Sequence, residues 1–212
     1  MHIKYRDFDG KILPSVTQVI GIISTEQNQL MNWANSIGLK GIKLSEANKI
    51  TLDIGSTVHK MIESYLKEES FVMPDELPAE SRQTAQICFQ QFKEWYKGYN
   101  IEISENSMIS KTHGFGGTID AMFRINNEMV LVDFKTSNDI YPSYWMQVAA
   151  YSSLAHENGY DVDKAAVLRL PKDGGNYEFI AKNIDELKPY WKVFKTTLQL
   201  YNHLQEIKKE KK

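Results

Sequence analysis

The chain changes its hydrophobic rhythm near residue 100. Before that point apolar residues recur every three or four positions, the period of a helix with one buried stripe. Leu30, Trp33 and Ile37 mark one such stripe. Leu52, Ile62 and Leu66, with His59 among them, predict a helix over roughly Asp53 to Lys67. Ile87, Phe92 and Trp95 predict another from Glu80 to Tyr99. Ser15 is placed to cap a short helix ending at about Ile23. Gly38 and Gly41 punctuate the chain, and Pro74 and Pro78 make FVMPDELP a loop.

After residue 100 the period falls to two, as strands require. Ile101 to Ser110, Gly117 to Ile125 and Glu128 to Lys135 read as strands, with Asn126-Asn127 as a tight hairpin turn. Tyr141 to Glu157 reads as a helix. Ala165 to Leu170 and Tyr177 to Lys182 are strands around the turn Lys172 to Gly175, and Asp185 caps a closing helix towards Lys208. This order predicts an α/β fold, a mixed central sheet flanked by helices with an N-terminal helical region. At 212 residues the expectation is one domain over 1–212. Residues 1 to about 50 would form a helical wall, and about 51 to 212 the core and C-terminal helix. The terminal IKKEKK reads as a solvated helix end.

Composition narrows the class. The chain is 42% hydrophobic and 25% charged, with a net charge of -2. No apolar run approaches the ~20 residues of a membrane span, and MHIKYRDFDG lacks the apolar core of a secretory signal. The expectation is a cytoplasmic protein without membrane contact. The single Cys88 excludes an internal disulfide and any four-cysteine zinc or iron–sulfur site made by this chain alone. Near-neutral charge argues against bulk electrostatic binding of nucleic acid, yet a local basic groove remains compatible with it.

The chemistry concentrates between Gly116 and Tyr151. In VLVDFK, strand alternation points Asp133 and Lys135 one way and Phe134, with Val132, the other. Asp120, across the hairpin, pairs close to Asp133. Two adjacent carboxylates repel unless a cation or a shared proton resolves the conflict. Oxygen ligands of this kind suit Mg2+ or Mn2+, and the Lys135 ammonium is placed to position a water or stabilise transition-state charge. A plain salt bridge between Lys135 and one acid fits the triplet equally well. On the upstream helix, His59 and Glu63 stand one turn apart, as a metal ligand with an orienting partner or as an ordinary half-buried histidine. Gln147 and Tyr151 have the same spacing after the Asp133–Lys135 strand, and serve either to hold water or phosphate or as boundary packing. Tyr144 and Trp145 suit nucleobase stacking or the core.

Taken together, these motifs resemble the PD-(D/E)XK nuclease superfamily. The match is to its RecB-like exonuclease branch, with the CRISPR-associated RecB-like, mitochondrial genome maintenance and phage exonucleases. The resemblance covers about Gly55 to Tyr151, with a looser match at PSVTQVI, Pro14 to Ile20. The family builds its site from a helical His, a G-x-(I/V)-D strand, a D-x-K strand and a Q-x-x-x-Y helix. Here these are His59, Gly117 to Asp120, Asp133 to Lys135, and Gln147 to Tyr151. Glu105 matches an acid on the family's first strand. Ile119 replaces the namesake Pro, as in the RecB-like branch.

The resemblance implies a restriction-endonuclease-like fold and a metal-dependent DNA exonuclease acting in recombination, repair or replication. His59, Asp120, Asp133 and the Phe134 backbone carbonyl would hold Mg2+ or Mn2+. Asp120, Asp133, Lys135, Gln147 and Tyr151 would be catalytic, with Glu63 and Glu105 as supporting acids. No iron–sulfur cluster is expected. The partner would be DNA, single-stranded or at its ends, contacted by Lys40, Lys43, Lys111, Arg124, Tyr144 and Trp145. Family association adds a helicase, a recombinase or a single-strand-binding protein as partners, and a bacterial or phage-infected cell as the setting. A structure- or site-specific endonuclease of the same fold and a catalytically silent DNA-binding module are the alternatives.

Overall fold

The computed structural model describes residues 3–23 and 27–210. Strands β3 (Asn100–Ser110), β4 (Phe115–Ile125), β5 (Glu128–Lys135), β6 (Lys164–Arg169) and β7 (Glu178–Asn183) form one sheet in the order β3-β4-β5-β6-β7. All neighbours are antiparallel except β5 and β6. A parallel neighbour cannot be reached through a tight turn. The chain crosses over through helix α5 (Pro142–Glu157), which therefore lies against the sheet directly after Lys135.

Helices cover both faces. On one, α1 (Val16–Ile20), α5 and α6 (Ile184–Glu210) pack on Leu131, Ala165 and Val167. On the other, α3 (Leu44–Leu66) and α4 (Ala79–Trp95) pack on Val130, Val132 and Phe134. The alternation expected for β5 is thus present, with Phe134 in the α3–α4 core. Asn126 and Asn127 close the β4–β5 hairpin with φ of 51° and 69°, the paired left-handed conformation of a two-residue turn that Asn tolerates. Ser15 caps α1 through a reciprocal box with Gln18, which seats Val16 and Val19 fully buried in the sheet core.

Some expectations shift. Helix α3 begins at Leu44 rather than near Asp53. Its first turns leave Ile50 and Leu52 exposed, so no apolar stripe announces them. The helix runs unbroken through residue 50, where the helical wall was expected to end. Helix α2 (Gln27–Leu39) lies beside α3. Helix α4 stops at Trp95, because Tyr96 turns extended and Gly98 takes φ +74°. Strands β1 (Tyr5–Arg6) and β2 (Ile12–Leu13) form a small hairpin that two-residue strands cannot signal by periodicity. Asp7 Oδ1 closes its turn by accepting the backbone N–H groups of Asp9 and Lys11. Of the terminal IKKEKK, Lys211 and Lys212 lie outside the described residues.

Candidate active site

The β4–β5 ladder opens at one end. Its pairs run from Ile125↔Glu128 to Ala121↔Val132 and then cease. Beyond that point the Phe134 N–H donates to Asp120 Oδ2 at 2.9 Å, so a side chain replaces the missing ladder bond. The neighbouring backbone is irregular too. Ile119 packs towards α5 and Ala121 towards α3 and α4, so the alternation of β4 slips one place at Asp120. Ser104↔Ala121 and Asn106↔Ile119 flank Glu105, whose φ is +50°. A non-glycine residue in that region is strained and persists only where its surroundings hold it.

Two groups of polar side chains meet at this opening. The first is built on α3. His59 Nδ1 lies 3.3 Å from Asp120 Oδ1, and its Nε2 lies 3.0 Å from the Phe134 carbonyl oxygen. Burial alone would push the His59 imidazole down. The Asp120 carboxylate reverses this and holds it up at about 9. Asp120 is lowered in turn: burial opposes its charge, but His59 and then Lys135 outweigh it. Glu105 is raised to about 7, first by burial and then by the Asp120 carboxylate. Glu63, one turn after His59, pairs with Lys67 at 2.5 Å.

The second group is built on α5. Lys135 Nζ lies 2.7 Å from Asp133 Oδ2, donates to Gln147 Oε1 at 2.9 Å, and stands 4.9 Å from the centre of the Tyr144 ring. Gln147 Nε2 donates to the Tyr151 hydroxyl at 2.9 Å. Asp133 is 1% exposed and raised to about 6, chiefly by burial. Lys135 offsets part of that rise and Asp120 adds to it. The Lys135 ammonium is raised although buried, because both carboxylates hold its proton. Tyr151 stays a phenol, its pKa pushed well up by burial and by the two acids. Gly117 makes room for it: a Cβ there would stand 2.6 Å from Tyr151 Cε1.

Among the described residues, no three His, Cys, Asp or Glu side chains converge as a closed metal cage. The donors satisfy one another instead, with His59 on Asp120 and on the Phe134 carbonyl. One oxygen stands apart. Asp133 Oδ2 is buried and has no aligned hydrogen bond, because the Lys135 contact at 2.7 Å is an ion pair outside hydrogen-bond alignment. A buried carboxylate oxygen with a free lone pair, a second carboxylate, a carbonyl and an imidazole form an oxygen-rich donor set that fits a hard divalent cation.

Solved structures of two proteins are similar to this chain at low identity. A candidate exonuclease from Eubacterium rectale is 16% identical, with a TM-score of 0.50 over 73% of this chain and 68% of its own. The alkaline exonuclease from Laribacter hongkongensis is 14% identical over 76% of this chain and 91% of its own, with a TM-score of 0.38, and 0.37 in its complex with dAMP. The chain shares the fold of the Eubacterium rectale protein, the restriction-endonuclease-like α/β fold that its sequence predicts. No family model and no curated protein matches it. Within this fold, the opening of β4 against β5 is where His59, Asp120, Asp133, Phe134, Lys135, Gln147 and Tyr151 come together, with Glu105 and Glu63 around them.

The residues named for DNA contact are spread out. Tyr144 roofs Lys135 at the site. Trp145 is 7% exposed in the core and stands under the Lys182 ammonium, so it offers no face for a base. Arg124 sits at the hairpin end of β4, roughly 13 Å along the strand from Asp120. Lys43 precedes α3, roughly 24 Å along the helix axis from His59, and Lys40 lies before it. Lys111 lies in the β3–β4 turn, its ammonium 4.4 Å from the centre of the Phe8 ring. No helix of the described residues is long and apolar enough to cross a membrane. Sequence reasoning missed Tyr5, Ser107 and Thr118, three hydroxyls beside the site, because no spacing rule connects residues that only strand pairing brings together.

Proposed function

We propose that this protein is a Mg2+- or Mn2+-dependent deoxyribonuclease, acting as an exonuclease on the phosphodiester backbone. The observation that carries this reading is the pairing of the two groups at one strand opening. An acceptor set (His59, Asp120, the Phe134 carbonyl and Asp133) meets a donor line (Lys135, Gln147, Tyr151) across Asp133. His59, Asp120, Asp133 and the Phe134 carbonyl would hold the cation. Bound there, a divalent ion supplies charge neutralisation at the phosphate and a more acidic water.

The chain's own residues then divide the work. Lys135 keeps its proton, since both carboxylates raise its pKa. It therefore acts as a fixed cation that orients the attacking water and the phosphate oxygen rather than as a base. Gln147 fixes the direction of the Lys135 ammonium, and Tyr151 fixes Gln147. The Tyr144 ring lies over the Lys135 ammonium and helps to hold it in place.

End-labelled linear DNA and a covalently closed circle, each digested with Mn2+, test the reading. Wild type should shorten the linear DNA from its ends and spare the circle, and Asp133→Ala should leave both intact. Cutting of the circle would make the enzyme an endonuclease. No cleavage, together with no Mn2+ binding by calorimetry, would leave a silent DNA-binding module.

A further inference from the structure

The β1–β2 hairpin lies along the same end of β4 as the site. Gly116 N–H donates to the Pro14 carbonyl, and a Cβ at Gly116 would fall 2.2 Å from Tyr5 Cγ, so this glycine is what lets the Tyr5 ring lie on β4. The Tyr5 hydroxyl meets Thr118 Oγ1 at 2.8 Å, and Thr118 Oγ1 meets Ser107 Oγ at 2.8 Å. Ser107 also acts on the Tyr5 hydroxyl, so the three hydroxyls close into one cluster, and any of them can turn its O–H outward to an incoming acceptor. Gly117 and Ile119 face α5, so Thr118 between them faces the other way, the side on which the Asp120 carboxylate meets His59 of α3, roughly 7 Å further along the strand.

Beyond the row the hairpin borders a cavity of about 1000 Å³ that reaches the β3–β4 turn. Phe8, at the hairpin tip, is 79% exposed, and Lys111 from the facing turn holds its ammonium 4.4 Å from the ring centre. An aromatic ring so exposed has no packing role in the core, and the lysine covers only one of its sides. The charges of the lining nearly cancel: Lys11, Lys111 and Lys209 stand against Asp7, Asp9 and Glu206. Asp7 is engaged in closing the hairpin turn, and Glu206 lies 3.3 Å from His203. Recognition by bulk positive charge is thereby set aside, and what the cavity offers is one ring and one neighbouring ammonium; the hydroxyl row is outside its lining, between the hairpin and Asp120.

We propose that the β1–β2 hairpin is a guide for a single DNA strand entering the nuclease site, an inference that rests on the function proposed above. A nucleobase stacks on the free side of Phe8, Lys111 meets the adjoining phosphate, and the Tyr5 hydroxyl turns out of the Tyr5–Thr118–Ser107 cluster to donate to a phosphate nearer Asp120. The strand must be unpaired, because a base inside a duplex has no free face for the ring.

The test compares kcat/KM with Mn2+ for three substrates: a single-stranded 12-mer, the same sequence as a blunt duplex, and bis(p-nitrophenyl) phosphate, which is too small to reach Phe8. Stacking on an aromatic ring is worth roughly tenfold or more in affinity. Phe8→Ala should therefore lower the ratio of 12-mer to small-diester efficiency about tenfold. Tyr5→Phe should lower it about threefold by removing one neutral hydrogen bond. Lys111→Ala should reduce the slope of log affinity against log salt for the 12-mer, measured by anisotropy with Ca2+, by about 0.7. The duplex should respond to none of these changes. A wild type that hydrolyses the 12-mer and the small diester, with a ratio that Phe8→Ala leaves within twofold, overturns the guide and keeps the nuclease. Equal losses for duplex and single strand overturn the single-strand assignment. A wild type that hydrolyses nothing overturns the reading of the site itself.

Discussion

The two sides of the strand opening differ in how their polar groups are held. On the α5 side, Asp133, Lys135, Gln147 and Tyr151 form a line in which each member touches the next, built from one strand and the helix that follows it. On the α3 side, His59 reaches Asp120 and Phe134 across 61 and 75 residues of chain, beside a left-handed Glu105. The first side fixes a cation, Lys135, in place. The second collects lone pairs around positions that two carboxylates cannot share comfortably without one. Preorganised donors and a strained acceptor set are the two halves that phosphoryl chemistry requires.

Substitutions should separate the halves. The largest effect is expected at Asp133, which belongs to both: Asp133→Ala should lower kcat by about a thousandfold or more on end-labelled DNA. Lys135→Ala should cost about a hundredfold to ten-thousandfold in kcat while Mn2+ affinity holds, because it removes a positioned charge and no proposed ligand. His59→Ala should act the other way, weakening Mn2+ binding by calorimetry about tenfold to a hundredfold, with activity partly restored by excess Mn2+. Loss of Mn2+ binding in the Lys135 variant, or unchanged binding in the His59 variant, would break the division. Gln147→Ala should cost about tenfold in kcat, since it touches Lys135 and not the proposed cation.

The smallest expected effect is on stability. Glu105 is raised to about 7 by burial and by Asp120, so the native state resists its ionisation. The sign follows: the penalty is absent below the ordinary Glu range, grows as pH rises from about 4.5 to 7, and is complete above. Glu105→Gln should therefore raise Tm by a few degrees at pH 8 without metal, and by much less at pH 5. His59 works oppositely. Its pKa is raised to about 9, so its contact with Asp120 stabilises the protein below pH 6.5 and is lost as pH rises through 9.

Legibility in the sequence follows the same division. The α5 side is local. Alternation in VLVDFK separates Lys135 from Phe134, and the i, i+4 spacing of Gln147 and Tyr151 puts them on one face, so periodicity alone places these groups. Asn126-Asn127 sets the register that brings Asp120 beside Asp133, and turn chemistry makes that readable. The α3 side depends on contacts that no period encodes. A histidine in an apolar stripe looks the same whether it packs or binds, and only the resemblance singled out His59. The left-handed φ of Glu105 and the slip of β4 at Asp120 leave no trace in composition. Trp145 shows the converse limit: its neighbour Tyr144 reaches the site, while Trp145, about 100° further around α5, is buried in the core. The β1–β2 hairpin was invisible because its strands hold two residues each.

The central claim is that Asp133 joins a cation-binding set to a fixed ammonium for phosphodiester hydrolysis. It is tested most directly by the release of labelled nucleotide from linear DNA with Mn2+, for wild type and Asp133→Ala side by side. Release by wild type that stops with EDTA and is abolished in the variant is the predicted result. Equal release by both proteins, or release by wild type that EDTA leaves untouched, would contradict it.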